Sequence, residues 1–320
     1  NDFSSIKGQI IAKRALSIAA AGLHNVLMVW APGSGKTMLS KALPSILPPL
    51  DFPEILEVSQ IYSVVWKLNK DQPLIIQRPF RQVHHTASKV SIIGGGTHLT
   101  PGEISLAHKG ILFFDELTEF PREVLEVLRQ PLEDSVINIS RVSGTVEYPA
   151  NVMFIASMNP CKCGYYKDPE KSCSCSLSEI KRYQSKISGP LLDRIDMILE
   201  IPREKIDTLL TKSLNQSSAE LRQQVIKAWK IQKDRFWKSG IQTNAMMEAK
   251  DIDHYIQLDS ACKDFLSQAA ERFTLSGRVI HRLLKLGRTI ADMEGKDQLE
   301  VGHLMEAIHY RSKTMFVENE

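Results

Sequence analysis

A strongly apolar segment, a glycine-rich loop and a helix-like segment follow one another near the start of the chain. Residues 26–30 read VLMVW, residues 31–37 read APGSGKT, and residues 36–47 have apolar side chains at helical spacing. A short apolar run before Pro and Gly predicts a buried strand that enters a loop. Because this strand–loop–helix unit is typical of α/β proteins with a parallel sheet, it limits the possible folds more than any other feature.

The loop sequence predicts a binding site for the phosphates of ATP or ADP. Gly33 and Gly35 allow backbone N–H groups to point at phosphate oxygens, and the following helix adds the positive end of its dipole. Lys36 can reach the β- and γ-phosphates, and Thr37 is a candidate Mg²⁺ ligand. The alternative is a glycine-rich turn that binds nothing. The candidate nucleotide-binding residues are Ala31, Pro32, Gly33, Ser34, Gly35, Lys36, Thr37, Met38 and Asp115.

Trp30 departs from the usual form of this loop, which has Gly at that position. Its ring either turns away from the nucleotide or crowds the loop. Because the part of the loop that contacts phosphate is intact, we predict that nucleotide binding is retained with reduced affinity.

Further apolar runs predict the rest of an α/β core. Strands are expected at 110–114, 151–157 and 195–200, helices at 10–22, 36–47 and 121–132, and a β-hairpin at 136–149. Strands that alternate with helices favour a parallel sheet flanked by helices. After about residue 203 only helical patterns remain, as in the amphipathic segment 276–293. We therefore predict a core at 1–203, a linker at 204–217 and a helical domain at 218–320.

Two acids follow the predicted strand at 110–114, in the sequence GILFFDE. Ligands bind at the carboxyl edge of such sheets. Asp115 is therefore expected to hold Mg²⁺ and Glu116 to orient and deprotonate the attacking water. Two solvated acids are the alternative.

Three other polar residues have two interpretations each. Asn159, after the strand at 151–157, either positions the water or lies in a turn. Arg194 either stabilises charge on the transferred phosphoryl group or pairs on the surface with Asp193 or Asp196. Arg278 is either a nucleotide sensor or an exposed helix residue. The adjacent His84 and His85 are expected to point apart and to be structural.

Four of the five cysteines lie within residues 161–175. Cys161, Cys163, Cys173 and Cys175 form two CxC pairs, which can hold Zn²⁺ or remain reduced thiols on a loop. Cys262 has no partner in the sequence. A disulfide framework would spread its cysteines more widely, and no apolar run is long enough for a membrane span, so we predict a cytoplasmic protein. The net charge of +3 places no strong constraint on nucleic-acid binding.

Several long strings resemble the magnesium-chelatase-like AAA+ family, in particular its ComM/YifB branch. They are APGSGKT, IIGGGTHLTPGEISLAHKGILFFDE, LRQPLED, ASMNPCKCGYY, ISGPLLDRID and LSGR followed by LGRTIADMEG. The resemblance implies an AAA+ P-loop core followed by a helical lid. It also implies sensor 1 at Asn159, an arginine finger acting on a neighbouring subunit at Arg194, and sensor 2 at Arg278.

The resemblance further implies a homo-oligomer, usually a hexamer, with a hairpin at 136–149 and an insert at 84–105. It suggests an ATP-dependent DNA helicase that promotes branch migration during natural transformation or recombination, acting on single-stranded or branched DNA. Lys89, His98 and Arg141 are candidate phosphate contacts, with a solvated turn as the alternative for Arg141. Because the chain starts at Asn1 and family members usually carry an amino-terminal Lon-like domain, we expect a fragment of a longer protein.

Two other functions fit the same residues. A protein-remodelling ATPase of the magnesium-chelatase type would act on a partner protein instead of DNA. A nucleotide-gated assembly module would form oligomers with ATP but would not displace strands. Stimulation of ATP hydrolysis by DNA, lost at higher salt, distinguishes the helicase from the remodelling ATPase, and strand displacement distinguishes it from the assembly module.

Overall fold

A computed structural model of the chain describes residues 2–30, 36–68, 71, 73–96, 98–141, 144–201, 216–311 and 316–317. The side chains of Lys36, Thr37 and Arg141 lie outside this description. Contacts divide the chain into two compact units. The helical unit comprises Asn1–Val26, Ser45–Pro48 and Ile195–Thr314, and the sheet unit comprises Leu27–Pro44, Pro49–Arg194 and Met315–Glu320.

The central sheet has five strands, β1 (Val26–Trp30), β2 (Phe80–Val83), β5 (Ile111–Phe114), β8 (Met153–Met158) and β9 (Met197–Ile201). Their order across the sheet is β2-β5-β8-β1-β9. β2 pairs in parallel with β5, and β5 pairs in parallel with β8. The strands β1, β5 and β8 are buried throughout, as expected for a parallel sheet covered by helices.

Two small antiparallel ribbons accompany this sheet. β3 (Gly94–Gly95) pairs with β4 (Thr100–Pro101), and β6 (Val136–Arg141) pairs with β7 (Gly144–Pro149). The second ribbon is the hairpin predicted at 136–149. Gly94 has a φ of 105°, and a Cβ there would lie 2.4 Å from the carbonyl oxygen of Thr100, so only glycine fits.

All but one of the described helices of the sheet unit are short. The described helices are α2 (Lys36–Ala42), α3 (Phe52–Val64), α4 (Lys89–Ile93), α5 (Glu103–Leu106), α6 (Arg122–Val127), α7 (Arg129–Asp134), α8 (Leu177–Gln184) and α9 (Gly189–Leu192). Capping boxes begin α3 at Asp51 and α8 at Ser176.

Two predicted helices are shorter than expected. The helix predicted at 36–47 ends at Ala42 and continues as a 3-10 turn at Leu43–Ile46, because Pro44 has no N–H to continue the α-helical bonding. The helix predicted at 121–132 is interrupted at Leu128, since Pro131 likewise has no N–H for the carbonyl of Val127.

The helical unit has a core of its own. Its helices are α1 (Ile10–Gly22), α10 (Ser218–Phe236), α11 (Ala249–Tyr255), α12 (Ser260–Phe273), α13 (Gly277–Met293) and α14 (Val301–His309). A cluster that includes Phe236, Met247, Leu266, Leu284 and Leu304 is buried. The predicted apolar face of α13 is confirmed at Leu283, Leu286 and Ile290, which are buried.

None of the described helices is long and apolar enough to cross a membrane.

Candidate functional site

Three neighbouring parallel strands end in polar residues at one edge of the sheet. Asp115 and Glu116 follow β5, Asn159 follows β8, and His84 and His85 follow β2. Since parallel strands share the direction of their carboxyl ends, the sheet collects these residues at the edge where α/β proteins bind ligands.

Asp115 is held in place by two hydrogen bonds to the same carboxylate oxygen. The Ser157 hydroxyl donates to its Oδ1 at 2.5 Å, and the Glu116 N–H donates to it at 3.1 Å. Its other oxygen, Oδ2, receives no hydrogen bond from the described part of the chain. One oxygen fixes the carboxylate, and the other could coordinate a metal or its bound water.

Sequence reasoning missed Ser157, although the strand register contains the signal. Phe114 of β5 pairs with Ala156 of β8, so the next residue pair along the ladder is Asp115 and Ser157. Ser157 is fully buried, and a buried hydroxyl is expected to find a partner. A small polar residue near the end of a buried strand was the available clue.

Glu116 has a left-handed backbone, with a φ of 54° and a ψ of 53°. This conformation is uncommon for residues other than glycine and is found disproportionately at functional sites. Half of the Glu116 side chain is exposed, and its Oε2 lies 3.8 Å from Nδ1 of His85. The carboxylate is therefore accessible to water.

The expectation that His84 and His85 point apart is wrong. Their ring centroids are 4.2 Å apart, and the His85 ring also meets Phe120 edge-on at 6.5 Å. The two residues follow the end of β2, where the chain has left the alternation of a strand. His85 therefore belongs to the surroundings of Glu116, which sequence reasoning also missed.

The turn after Glu116 is braced by α8 and the residues just beyond it. The Thr118 hydroxyl donates to the Tyr183 hydroxyl at 2.5 Å, and Lys186 Nζ donates to the carbonyl of Thr118 at 2.8 Å. Burial raises the pKa of Tyr183 to about 12.

Most of the predicted phosphate loop lies outside the described residues. This applies to Ala31, Pro32, Gly33, Ser34 and Gly35, and to the side chains of Lys36 and Thr37. The backbone of α2 begins at Lys36, so the predicted helix does follow the loop, and the side chain of Met38 is exposed. The roles of these residues stay predictions.

Trp30, the last residue of β1, is completely buried. Of the two alternatives, the ring is thus withdrawn into the protein interior. Its indole N–H has no hydrogen-bond partner among the described residues. The effect of Trp30 on nucleotide affinity stays a prediction.

The structure places the three sensor candidates in different surroundings. Asn159 is half-buried and follows β8. Arg278 is exposed in the first turn of α13, within the helical unit. Arg194 follows α9 and donates to Glu133 on α7, so the predicted surface pairs with Asp193 or Asp196 are wrong.

The four clustered cysteines come together in space. The sulfur atoms of Cys161, Cys163, Cys173 and Cys175 all lie within 4.8 Å of one another, and all four are free thiols. Three of the separations are 3.3, 3.5 and 3.7 Å. Four thiolates at about 2.3 Å from a tetrahedral zinc would stand about 3.8 Å apart, so the donor set fits Zn²⁺.

Backbone donors favour the thiolate form of Cys163 alone in this cluster, since the pKa values of the other three cysteines are raised. Burial opposes ionisation of the Cys163 thiol, but N–H groups of Tyr165 and Ser174 donate to its sulfur and hold its pKa at about 6. Burial raises the pKa of Cys161. The carbonyl of Pro160 accepts a 2.8 Å hydrogen bond from the buried Gln184 amide, which anchors the start of the loop to α8.

The hairpin and the insert predicted at 84–105 are packed together. The Tyr148 hydroxyl on β7 donates to the carbonyl of Leu99 at 2.8 Å. Lys89 and His98 in the insert are exposed. Arg141 ends β6, opposite Gly144, while its side chain lies outside the described residues.

Two family descriptions match consecutive parts of the chain. "Magnesium chelatase, subunit ChlI" matches residues 2–209, and "Magnesium chelatase, subunit ChlI C-terminal" matches residues 215–311. The chain belongs to the magnesium chelatase ChlI family. The predicted AAA+ α/β core with a helical lid is thereby confirmed, together with a five-stranded parallel sheet.

Curated relatives place the chain in the ComM/YifB branch, as predicted. It is 41% identical to the competence protein ComM of Haemophilus influenzae over 99% of this chain and 61% of the relative. It is 43% identical to the uncharacterized protein YifB of Salmonella typhimurium over 97% of this chain and 60% of the relative. The magnesium-chelatase subunit ChlI of Cyanophora paradoxa is 22% identical over 96% of this chain and 88% of its own length. The chain thus spans about three fifths of ComM and YifB.

Proposed function

We propose that this chain is the motor part of an ATP-hydrolysing ring that acts on DNA. The observation that carries the proposal is the half-satisfied Asp115 beside the accessible Glu116, at the carboxyl edge of the sheet. The strand β1, which precedes the phosphate-loop sequence, is separated from β5 only by β8 in the strand order. This arrangement suits a triphosphate and its metal.

Each residue has a distinct task in the proposed reaction. The APGSGKT loop and Lys36 bind the phosphates, while Thr37 and Asp115 hold Mg²⁺, which would neutralise charge on the phosphate oxygens. Glu116 orients the attacking water and accepts its proton. Asn159 monitors the γ-phosphate, and Arg278 acts as the second sensor.

Arg194 is proposed to act on the nucleotide of the adjacent subunit. A cation supplied in this way stabilises the charge of the transferring phosphoryl group. The assembly is therefore a homo-oligomer, which we propose is a hexamer. Its mass in solution with ATP, measured by light scattering, tests this directly, and a monomer that retains full ATPase activity would contradict it.

DNA is the proposed client because two exposed elements suit phosphate contacts. The hairpin of β6 and β7 packs against the insert that carries Lys89 and His98. Contacts of this kind give sequence-independent, salt-dependent affinity, which suits a translocating motor. With a competence protein among the relatives, we propose helicase activity that promotes branch migration during natural transformation or recombination.

ATP hydrolysis with and without DNA tests this proposal. We expect single-stranded or branched DNA to stimulate turnover, and the stimulation to disappear as salt rises. The Glu116→Gln variant should be inactive in both conditions. Turnover that is indifferent to DNA but responds to a partner protein would favour remodelling of the magnesium-chelatase type, and ATP-dependent oligomers without strand displacement would favour an assembly module.

We also propose that the four-cysteine cluster holds one structural Zn²⁺. Cys161 is only two residues beyond Asn159, so a metal there would fix the loop that leaves β8. Elemental analysis should find one zinc per chain, and Cys173→Ser should lose it while the buried Cys262→Ser control keeps it. A wild-type protein with well under one zinc per chain would contradict the proposal.

A further inference from the structure

Arg194, which we assign to the active site of the neighbouring subunit, forms an ion pair within its own sheet unit. Arg194 donates through Nη2 to the Glu133 carboxylate and through Nη1 to the carbonyl of Pro190 at 2.8 Å. The Arg194 side chain is 17% exposed, whereas that of Glu133 is 54% exposed. To reach a nucleotide on another subunit, the guanidinium has to leave this carboxylate.

α7 makes a second attachment to the same segment. Arg129 Nη2 donates to the Ser188 hydroxyl at 3.1 Å, where Ser188 precedes α9. Arg129 and Glu133 are four residues apart, so they lie on one face of α7. That face is therefore joined to the start of the 188–194 segment by Arg129 and to its end by Glu133.

The hairpin continues directly from α7. Only Ser135 separates the helix from β6, and its N–H donates to the carbonyl of Pro131 at 3.1 Å. Its own carbonyl accepts the N–H of Ala150 at 2.7 Å, which closes the base of the hairpin beside the Val136–Pro149 pair. A displacement of the hairpin would therefore be transmitted to Glu133, which lies three residues before the start of β6.

We propose that Glu133 is a positioning residue that restrains Arg194 until the hairpin is displaced by its client. The inference rests on the proposed role of Arg194, and it adds that the ion pair with Glu133 makes this role depend on DNA. Without DNA, Glu133 holds the guanidinium and turnover is slow. A hairpin displaced by DNA moves α7, and Arg194 is released toward the phosphoryl oxygens of the adjacent subunit.

The exposure of Glu133 makes this pair weak enough to be exchanged. Ion pairs with one well-solvated partner contribute little, equivalent to a factor of roughly two to five in an equilibrium. A pair of this strength can bias the position of Arg194 without locking it. It also sets the size of the effect that its removal should have.

Glu133→Gln, with Asp134→Asn as the matched control, tests the inference. Asp134 is the adjacent acid on α7, is exposed, and forms no ion pair with the described residues. We expect E133Q to raise the DNA-independent ATPase rate about two- to fivefold, to leave the DNA-saturated rate unchanged, and so to reduce the stimulation ratio. D134N should behave like the wild type.

Further variants separate this inference from the proposed function. Arg194→Ala should abolish turnover with and without DNA, and full activity in R194A would refute the finger itself. Where R194A is inactive but E133Q retains or lowers the wild-type basal rate, only the role of Glu133 is refuted. Glu133→Asp keeps the charge and shortens the reach by one methylene, so its basal rate should lie between those of the wild type and E133Q even if E133Q folds poorly.

Discussion

The two units differ in how completely the carboxylates of their clustered polar residues are hydrogen-bonded. In the helical unit, the buried Asp292 accepts hydrogen bonds from Arg235, Arg288 and Asn244. In the sheet unit, Asp115 has one oxygen held by Ser157 and the other open in the described structure. A buried carboxylate that is hydrogen-bonded throughout by the protein suits a structural role, and we propose that the open oxygen of Asp115 serves a ligand.

Asp196 is a second acid of the helical unit whose carboxylate, unlike that of Asp115, is buried and paired with charged groups of the protein. The residue is 4% exposed, and its carboxylate accepts hydrogen bonds from Arg282 and from the N–H of Asn25, the latter at 2.9 Å. Burial alone would raise the pKa of Asp196, but the charge of Arg282 and the neighbouring His24 hold it well below its ordinary value. The sequence offers Asp196 as a surface partner of Arg194, whereas in the fold Asp196 pairs with Arg282 and His24.

The largest expected effect comes from removing the open acid Glu116. Glu116→Gln should lower the ATPase rate by about 10²- to 10⁴-fold, because the amide cannot accept the proton of water. Equilibrium binding of labelled ATP and the melting curve should be close to wild type. Glu119→Gln, three residues on and exposed, is the control. An active E116Q would remove the catalytic half of the comparison.

A substitution at the buried Asp196 should change the stability of the protein and leave the ATPase rate unchanged. Asp196→Asn leaves Arg282 without its counter-charge and should lower the free energy of unfolding by about 3 kcal/mol, measured by urea denaturation. Asp264→Asn, an exposed residue of α12, is the control. A stable D196N with reduced turnover would reverse the assignment of structural and functional acids.

The pH dependence of this difference has a fixed sign. Because the pKa of Asp196 is lower in the folded protein than in the unfolded chain, its contribution to stability is complete above the unfolded value of about 3.9 and is lost as pH falls toward the folded value. The gap between wild type and D196N should thus be widest above about pH 4 and should shrink in acid.

A smaller effect is expected at Ser157, which fixes the direction of Asp115. Ser157→Ala removes one hydrogen bond to a charged group, so the Mg²⁺ concentration for half-maximal ATPase activity should rise about tenfold. The exposed hydroxyl of Ser140 on β6 provides the control variant Ser140→Ala. An unchanged Mg²⁺ requirement would mean that Asp115 does not depend on this contact.

The smallest effect is expected where the hairpin meets the insert. Tyr148→Phe removes the hydrogen bond to the Leu99 carbonyl and should cost about 1 kcal/mol of stability, since the ring still packs. DNA stimulation should fall modestly with it. Loss of DNA stimulation with no change in stability would indicate that the Tyr148 hydroxyl contacts DNA and does not stabilise the insert.

The sequence predicted the fold class, four of the five sheet strands and the position of two acids after one of them, because these depend on local patterns, but it missed β2. Apolar runs placed β1, β5, β8 and β9 to within two residues at each end. Helix ends were less accurate, since Pro44 and Pro131 interrupt segments whose apolar spacing is otherwise helical. The spacing of apolar residues shows which side chains share a helix face, but it takes no account of the backbone hydrogen bond that a proline cannot make.

Contacts across strands and helices were beyond such patterns. Ser157 is 42 residues from Asp115, and Glu133 is 61 residues from Arg194. Only the register of the sheet and the position of α7 bring these pairs together. Residues that assist a site from another element carry no local signature of their own, so they were found only in the folded chain.

The buried Trp30 also provides an intrinsic fluorescence probe. Of the four tryptophans, Trp66 and Trp237 are 94% and 73% exposed, so a soluble quencher such as iodide suppresses their emission first. The light that survives comes from Trp30 and the half-buried Trp229, and only Trp30 adjoins the APGSGKT segment. Its spectrum thus offers a label-free record of events at that segment, without any dye attached to the protein.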